Sequence, residues 1–208
     1  MALRKVTDGA TLHAVQPRQQ SRLLPDLLVQ LSAPQAEQRR WAARDLAAHP
    51  DAAPALGAQL MIERDSAVRE ALFTSLNTLA NATAAQALLP LLRSDDAQLR
   101  NGAIETLASM PHLVAPCMEQ LLRDPDPDVR ILSVNLLGEL RHKQVPQWLL
   151  LVLEQEQELN VVASAVDLLV ELGDRQHMPA LQKVRERFAD DAYLSFAVDM
   201  ALQHIGAA

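Results

Sequence analysis

Four arginines, Arg39, Arg69, Arg100 and Arg130, recur at intervals of 30, 31 and 30 residues. Such a row can do either of two things. Guanidinium groups lined up on one surface can grip phosphate or carboxylate anions through paired N–H donors. Alternatively, each can meet a carboxylate of the protein itself. Asp65, Asp96 and Asp126 stand four residues ahead of the last three arginines, so each of those positive charges arrives with its own negative one. That favours an internal ladder over an anion site. The six histidines (His13, His49, His112, His142, His177 and His204) fall near helix ends or in loops, without the paired helical spacing of a metal site. They read as solvated loop side chains. The single cysteine, Cys117, cannot close an internal disulfide and reads as a small buried hydrophobe. No Ser-His-Asp order, glycine-rich phosphate loop or CxxC is present. No catalytic residue, metal ligand or cofactor is assigned.

The arginines belong to a longer pattern. Asp126-Pro127-Asp128-Val129-Arg130, followed by Ile131 to Gly138, reads as a polar turn that starts an amphipathic helix. Weaker copies continue past Arg130 to Val162 and Leu194, where the arginine is lost, at intervals of 32 and 32. A steady period of this length predicts a stacked-repeat architecture. Each unit holds a helix A, a polar turn and a helix B. The units lie near 21–48, 52–80, 83–110, 113–140, 145–173 and 178–207, and together make a single domain over 21–208. Residues 1–20 do not fit the repeat and are expected to form a flexible arm or partial cap. Proline recurs near the start of helix A at Pro25, Pro54, Pro116, Pro146 and Pro179, where its missing N–H is tolerated. Unit three instead carries Pro90, which should sit inside its helix A and bend it.

The B helices, aligned, predict the core. Counting the residue before the arginine column as zero, that position holds Gln38, Val68, Leu99, Val129, Val161 and Tyr193. Position +4 holds Ala42, Leu72, Ala103, Ser133, Ala165 and Ala197, and position +8 holds Leu46, Leu76, Leu107, Leu137, Leu169 and Ala201. Position +5 is apolar as well. An arc this wide cannot be buried by one helix pair, so the units must stack. Asp and Ser in the turns can cap the exposed N–H groups at the start of helix B. The expected fold is all-α, a right-handed α-solenoid of about six two-helix repeats. Trp41 and Trp148 are both expected in its core.

Composition agrees. Hydrophobic residues make up 49% of the 208 positions but aromatics only 3%, a mixture of helix formers rather than strand formers. The net charge of −7 argues against nucleic acid or an anionic membrane surface as the main partner. No apolar run is long enough for a secretory signal or a membrane span, which points to a soluble cytoplasmic protein. The charge is uneven, at +3 over residues 1–50 and −10 over 51–208.

Proline-started helix A, an Asp turn, then Val-Arg-x-x-Ala/Ser-x-x-x-Leu-Gly resembles the HEAT repeat, in particular the short bacterial HEAT-like kind also found in phycobilisome-lyase-type proteins. Unit four matches best, through Asp126 to Arg130, Ser133 and Leu137-Gly138. The resemblance covers about residues 21–207 and implies a fold more than a function. The repeated His-Glu dipeptides of the di-iron HEAT enzyme deoxyhypusine hydroxylase are missing. So is the basic, aromatic-bearing face that HEAT-like DNA glycosylases need.

What remains is a surface. In HEAT solenoids the B helices line the concave face, and their outward positions make a candidate partner-binding ridge of Arg40, Arg44, Glu70, Thr74, Asn77, Asn101, Glu105, Asn135, Glu139, Asp167, Glu171, Asp199 and Gln203. It grades from basic to acidic, and its acidic half is suited to a basic segment of a partner protein. A non-catalytic scaffold or adaptor is therefore expected in a bacterial cytoplasm. The alternative is a lyase- or chaperone-type factor acting on one protein client, as phycobilin lyases do. The sixth unit, a weak copy, can leave an apolar edge for a second chain.

Overall fold

A computed structural model describes residues 22–207. Its helices follow from the turn chemistry. Asp65 accepts hydrogen bonds from the N–H groups of Ala67 and Val68, Asp96 from that of Gln98, and Asp126 from that of Asp128. Each carboxylate satisfies donors that a helix start leaves orphaned. Twelve α-helices follow one another in six pairs among the described residues: α1 (Leu24–Gln30) with α2 (Ala36–Leu46), α3 (Ala53–Ile62) with α4 (Ser66–Leu79), α5 (Ala82–Leu88) with α6 (Ala97–Ala108), α7 (Pro111–Leu121) with α8 (Pro127–Glu139), α9 (Val145–Gln155) with α10 (Leu159–Leu172), and α11 (Met178–Arg187) with α12 (Ala192–Ala207). Pro90 ends α5 early and turns the chain into a 3-10 segment, Leu89–Arg93. Pro116 is not in a first turn as expected. The helix α7 begins at Pro111, which puts Pro116 in its interior.

The pairs stack into a solenoid with one continuous core. The even-numbered B helices pack on their successors along the whole stack. Leu46, Leu76, Leu107, Leu137 and Leu169 at position +8 are wholly buried, each contributing roughly 1.5–3 kcal/mol. Position +5 faces the following unit. The ring of Phe73 lies so close to Gly102 of the next B helix that a Cβ there would sit 2.5 Å from Cε2. Position +7 faces back, and Ser75 Oγ donates to the Ala43 carbonyl oxygen at 2.8 Å.

Unit six corrects the expected register. In units one to five, the residue of the arginine column donates its N–H to the carbonyl four residues back, as in Arg69 to Asp65 and Val162 to Glu158. In unit six the residue that does so is Ser195, bonded to Asp191. The column interval from Val162 to Ser195 is 33 residues; α11 with its turn (178–191) is as long as α9 with its turn (145–158), so the extra residue lies ahead of α11. Position zero is therefore Leu194, wholly buried, and not Tyr193, which is 64% exposed.

Other expectations need revising. Trp148 is buried, with the His142 ring stacked on it at 5.2 Å and His112 edge-on to His142 at 5.8 Å. Trp41 is only half-buried, as is Cys117. His177 is not a solvated loop residue but is wholly buried. Its Nε2 lies 3.0 Å from the Pro146 carbonyl oxygen and its Nδ1 2.9 Å from an Asp174 carboxylate oxygen. The N-terminal arm, residues 1–20, lies outside the described residues.

Candidate functional site

Two rows of charge run along the B helices, and they differ in whether the protein satisfies them. The first is the arginine row. Arg39, Arg69, Arg100 and Arg130 each donate to the carbonyl oxygen six residues back, which closes the A–B turn of their own unit: Ala33, Glu63, Ser94 and Asp124. Three of them also reach forward. Arg39 grips Glu63 through two N–H donors at 2.7 and 2.8 Å, and Arg130 grips Glu156 at 2.6 and 3.2 Å. Arg69 meets Asp96 at 2.7 Å. Arg100 has no ion pair among the described residues, and Arg93, at the end of the preceding 3-10 segment, bonds Asp124 of the next turn instead.

Ion pairs do join successive units, but none is between an aspartate and the arginine four residues on. Asp65 and Asp126 cap their own helices and are not bridged by the arginine four residues on. Asp96 does both jobs, for its own helix and for the preceding unit's arginine. The missed partners are Glu63 and Glu156, two residues before the cap position. Each also accepts the next two backbone N–H groups, Arg64 and Asp65 for Glu63, Gln157 and Glu158 for Glu156. The sequence does hold a signal for them: an acidic or hydroxyl residue stands in that column at Glu63, Ser94, Asp124 and Glu156.

The environment tunes these acids. The Arg39 guanidinium, with the backbone donors, holds the Glu63 carboxyl at about 2, against an ordinary 4.5, although its burial opposes this. For Glu156, burial pushes the carboxyl up, but the Arg130 guanidinium and the backbone N–H groups outweigh it and the net shift is downward. Arg69 holds Asp96 down as well.

The second row is the ridge. Glu70, Glu105, Glu139, Asp167 and Glu171 are all exposed, and none has an ion-pair partner among the described residues. Arg44, Thr74, Asn101 and Asn135 are exposed beside them, and Arg40 is half-buried. Asn77 is exposed but tied to the next unit, accepting from Ser109 Oγ at 2.6 Å. The one-residue shift in unit six removes the last two candidates from the row. Asp199 pairs with Arg185 of α11 at 2.8 Å and stands at position +5, where the other units carry apolar side chains, with Ser195 and Gln203 at +1 and +9 on the same side of the helix. That side of α12 is polar. In place of Asp199 and Gln203 the ridge positions hold Phe196, Met200 and His204.

Among the described residues no three His, Cys, Asp or Glu side chains converge as metal ligands, and no helix is long and apolar enough to cross a membrane.

The family model for HEAT repeats matches residues 24–108 and 114–203. The chain is 26% identical over 155 residues to an uncharacterised phycocyanin operon protein Z of Pseudanabaena tenuis (strain PCC 7409), covering 70% of this chain and 76% of that one. Among solved structures it is similar to an archaeal HEAT-like repeats protein from Thermococcus onnurineus NA1, at 16% identity and a TM-score of 0.44, covering 87% of this chain and 86% of that one. It is also similar to the complex of CpcE and CpcF of phycocyanin lyase from Nostoc sp. PCC7120, at 18% identity and a TM-score of 0.30, covering 94% and 99%.

Proposed function

Because the chain belongs to the HEAT-repeat family, we propose that it is a non-catalytic scaffold or adaptor that docks a basic segment of a partner protein on its B-helix ridge. The observation that carries this reading is the contrast between the two rows of acids. Most of the turn acids are matched by guanidinium groups or backbone donors within the protein, while the five ridge carboxylates face solvent without an ion-pair partner among the described residues. Unpaired like charges on one face repel each other and raise the local concentration of a cationic partner, so they serve association rate and register. The site in this reading is one domain, residues 21–208, working in a bacterial cytoplasm. Charge reversal tests it. Glu139→Lys, Asp167→Lys and Glu171→Lys together should abolish capture of the partner in a pull-down while far-UV circular dichroism stays unchanged. Capture at undiminished affinity would overturn the reading.

A second reading has one observation in its favour, the similarity to a phycocyanin operon protein. Here the same ridge serves a lyase- or chaperone-type factor with a single protein client. A coloured bilin adduct formed only when the protein is mixed with an apo-phycobiliprotein and free bilin would select it over the adaptor.

A further inference from the structure

The sixth unit adds an apolar element to the ridge. Tyr193, Phe196 and Met200 are spaced three and four residues apart on one side of α12 and are 64%, 65% and 44% exposed. The chain has six aromatic side chains, and Tyr193 and Phe196 are its two exposed ones. Leaving both in water on the same side of one helix is costly unless something covers them, and clustered exposed apolar side chains mark interaction sites. The side of α12 that carries Ser195, Asp199 and Gln203 cannot explain them, since it is polar. They lie instead where the ridge continues past Asp167 and Glu171 of α10.

We propose, resting on the docking reading above, that Tyr193, Phe196 and Met200 hold the anchor of the partner segment: a bulky apolar side chain whose Lys or Arg neighbour meets Asp167 and Glu171. Charge complementarity and geometry both specify the occupant. Asp167 and Met200 occupy the same ridge position on adjacent helices, whose axes are about 8–10 Å apart. An extended chain advances about 3.3 Å per residue, so its anchor and its cation are separated by about three residues. Aromatic side chains at such a point carry a large share of binding energy, and the flanking carboxylates fix direction and register.

The test is selection from a phage-displayed library of random 12-residue peptides on the full chain. Enriched peptides should carry a bulky apolar residue about three positions from a Lys or Arg. As synthetic peptides they should lose at least about ten-fold in affinity for the double variant Phe196→Glu/Met200→Glu. Both substitutions are on exposed positions, and circular dichroism should report unchanged helicity. Peptides weakened by the Glu139, Asp167 and Glu171 reversal but indifferent to the double variant would overturn the anchor and leave the docking reading standing. No enrichment, or peptides indifferent to both variants, would overturn both. Should the wild type sediment as a dimer and the double variant as a monomer, the patch is a self-association surface and the anchor falls.

Discussion

Between units one and two, Arg39 leaves its own helix and grips Glu63, a carboxylate only 3% exposed, while between units five and six the same column holds Val162, wholly buried among apolar neighbours. The first junction is fastened by charge and the last by packing. His177, set between Pro146 and Asp174, supplies the polar contact there, and Arg187 donates to the Leu153 carbonyl oxygen at 3.0 Å. One backbone geometry therefore accepts either solution, because positions +4 and +8 of the same helices, Ala42 and Leu46 or Ala165 and Leu169, are wholly buried in both. The two solutions differ in what threatens them. A buried ion pair fails badly when one partner is removed, and it depends on pH. A buried valine does neither.

The comparison can be broken most directly at Arg39. Arg39→Met should destabilise the protein by about 3–5 kcal/mol in urea unfolding, because it leaves the Glu63 carboxylate buried without its cation. Val162→Ala, at the corresponding place in unit five, should cost only about 2 kcal/mol. Equal losses would erase the distinction. Acid should sharpen it. Glu63 is held near 2 in the folded protein against 4.5 ordinarily, so its contribution is complete above that ordinary value and is lost as pH falls from 4.5 toward 2. The loss is of order 1–3 kcal/mol once solvent screening is allowed for. Hydrogen exchange followed by mass spectrometry across that window should show α2 to α4 losing protection before α10 to α12. The smallest effect belongs to Arg93, whose side chain is 50% exposed. Arg93→Ala should cost less than about 1 kcal/mol, which would separate rungs that matter by burial from rungs that merely exist.

Much of this was legible in the chain. The period of 30 to 32 residues, the apolar columns at +4 and +8 and the aspartate caps all follow from side chains that each act within one helix or turn. What was misplaced acts between elements. The arginines can reach acids of their own turn or a neighbour's as far as the sequence goes, and it is the neighbour's that they meet, because a B helix presents its first turn to the following unit and sequence proximity does not register that. The expected register holds in units one to five and slips by one in unit six, since an extra residue ahead of α11 makes the interval from Val162 to Ser195 33 residues rather than 32, and one residue of register is about 100° around the helix. The pairing of Asp199 with Arg185 and the exposure of Phe196 both follow from that one-residue shift.

The contact between Phe73 and Gly102 has a consequence for anyone who would shuffle these units. Modular proteins invite recombination, and the shared backbone here suggests that any unit could follow any other. Yet the ring of Phe73 occupies the space where a Cβ of Gly102 would stand, and the residues in the corresponding place of the other units are Trp41, Ala71, Leu132, Ser164 and Ala197. Any other unit placed after unit two would force the Phe73 ring to move. The order of the units is written into their interfaces, and a library built by permuting them should yield folded products chiefly where that pair travels together.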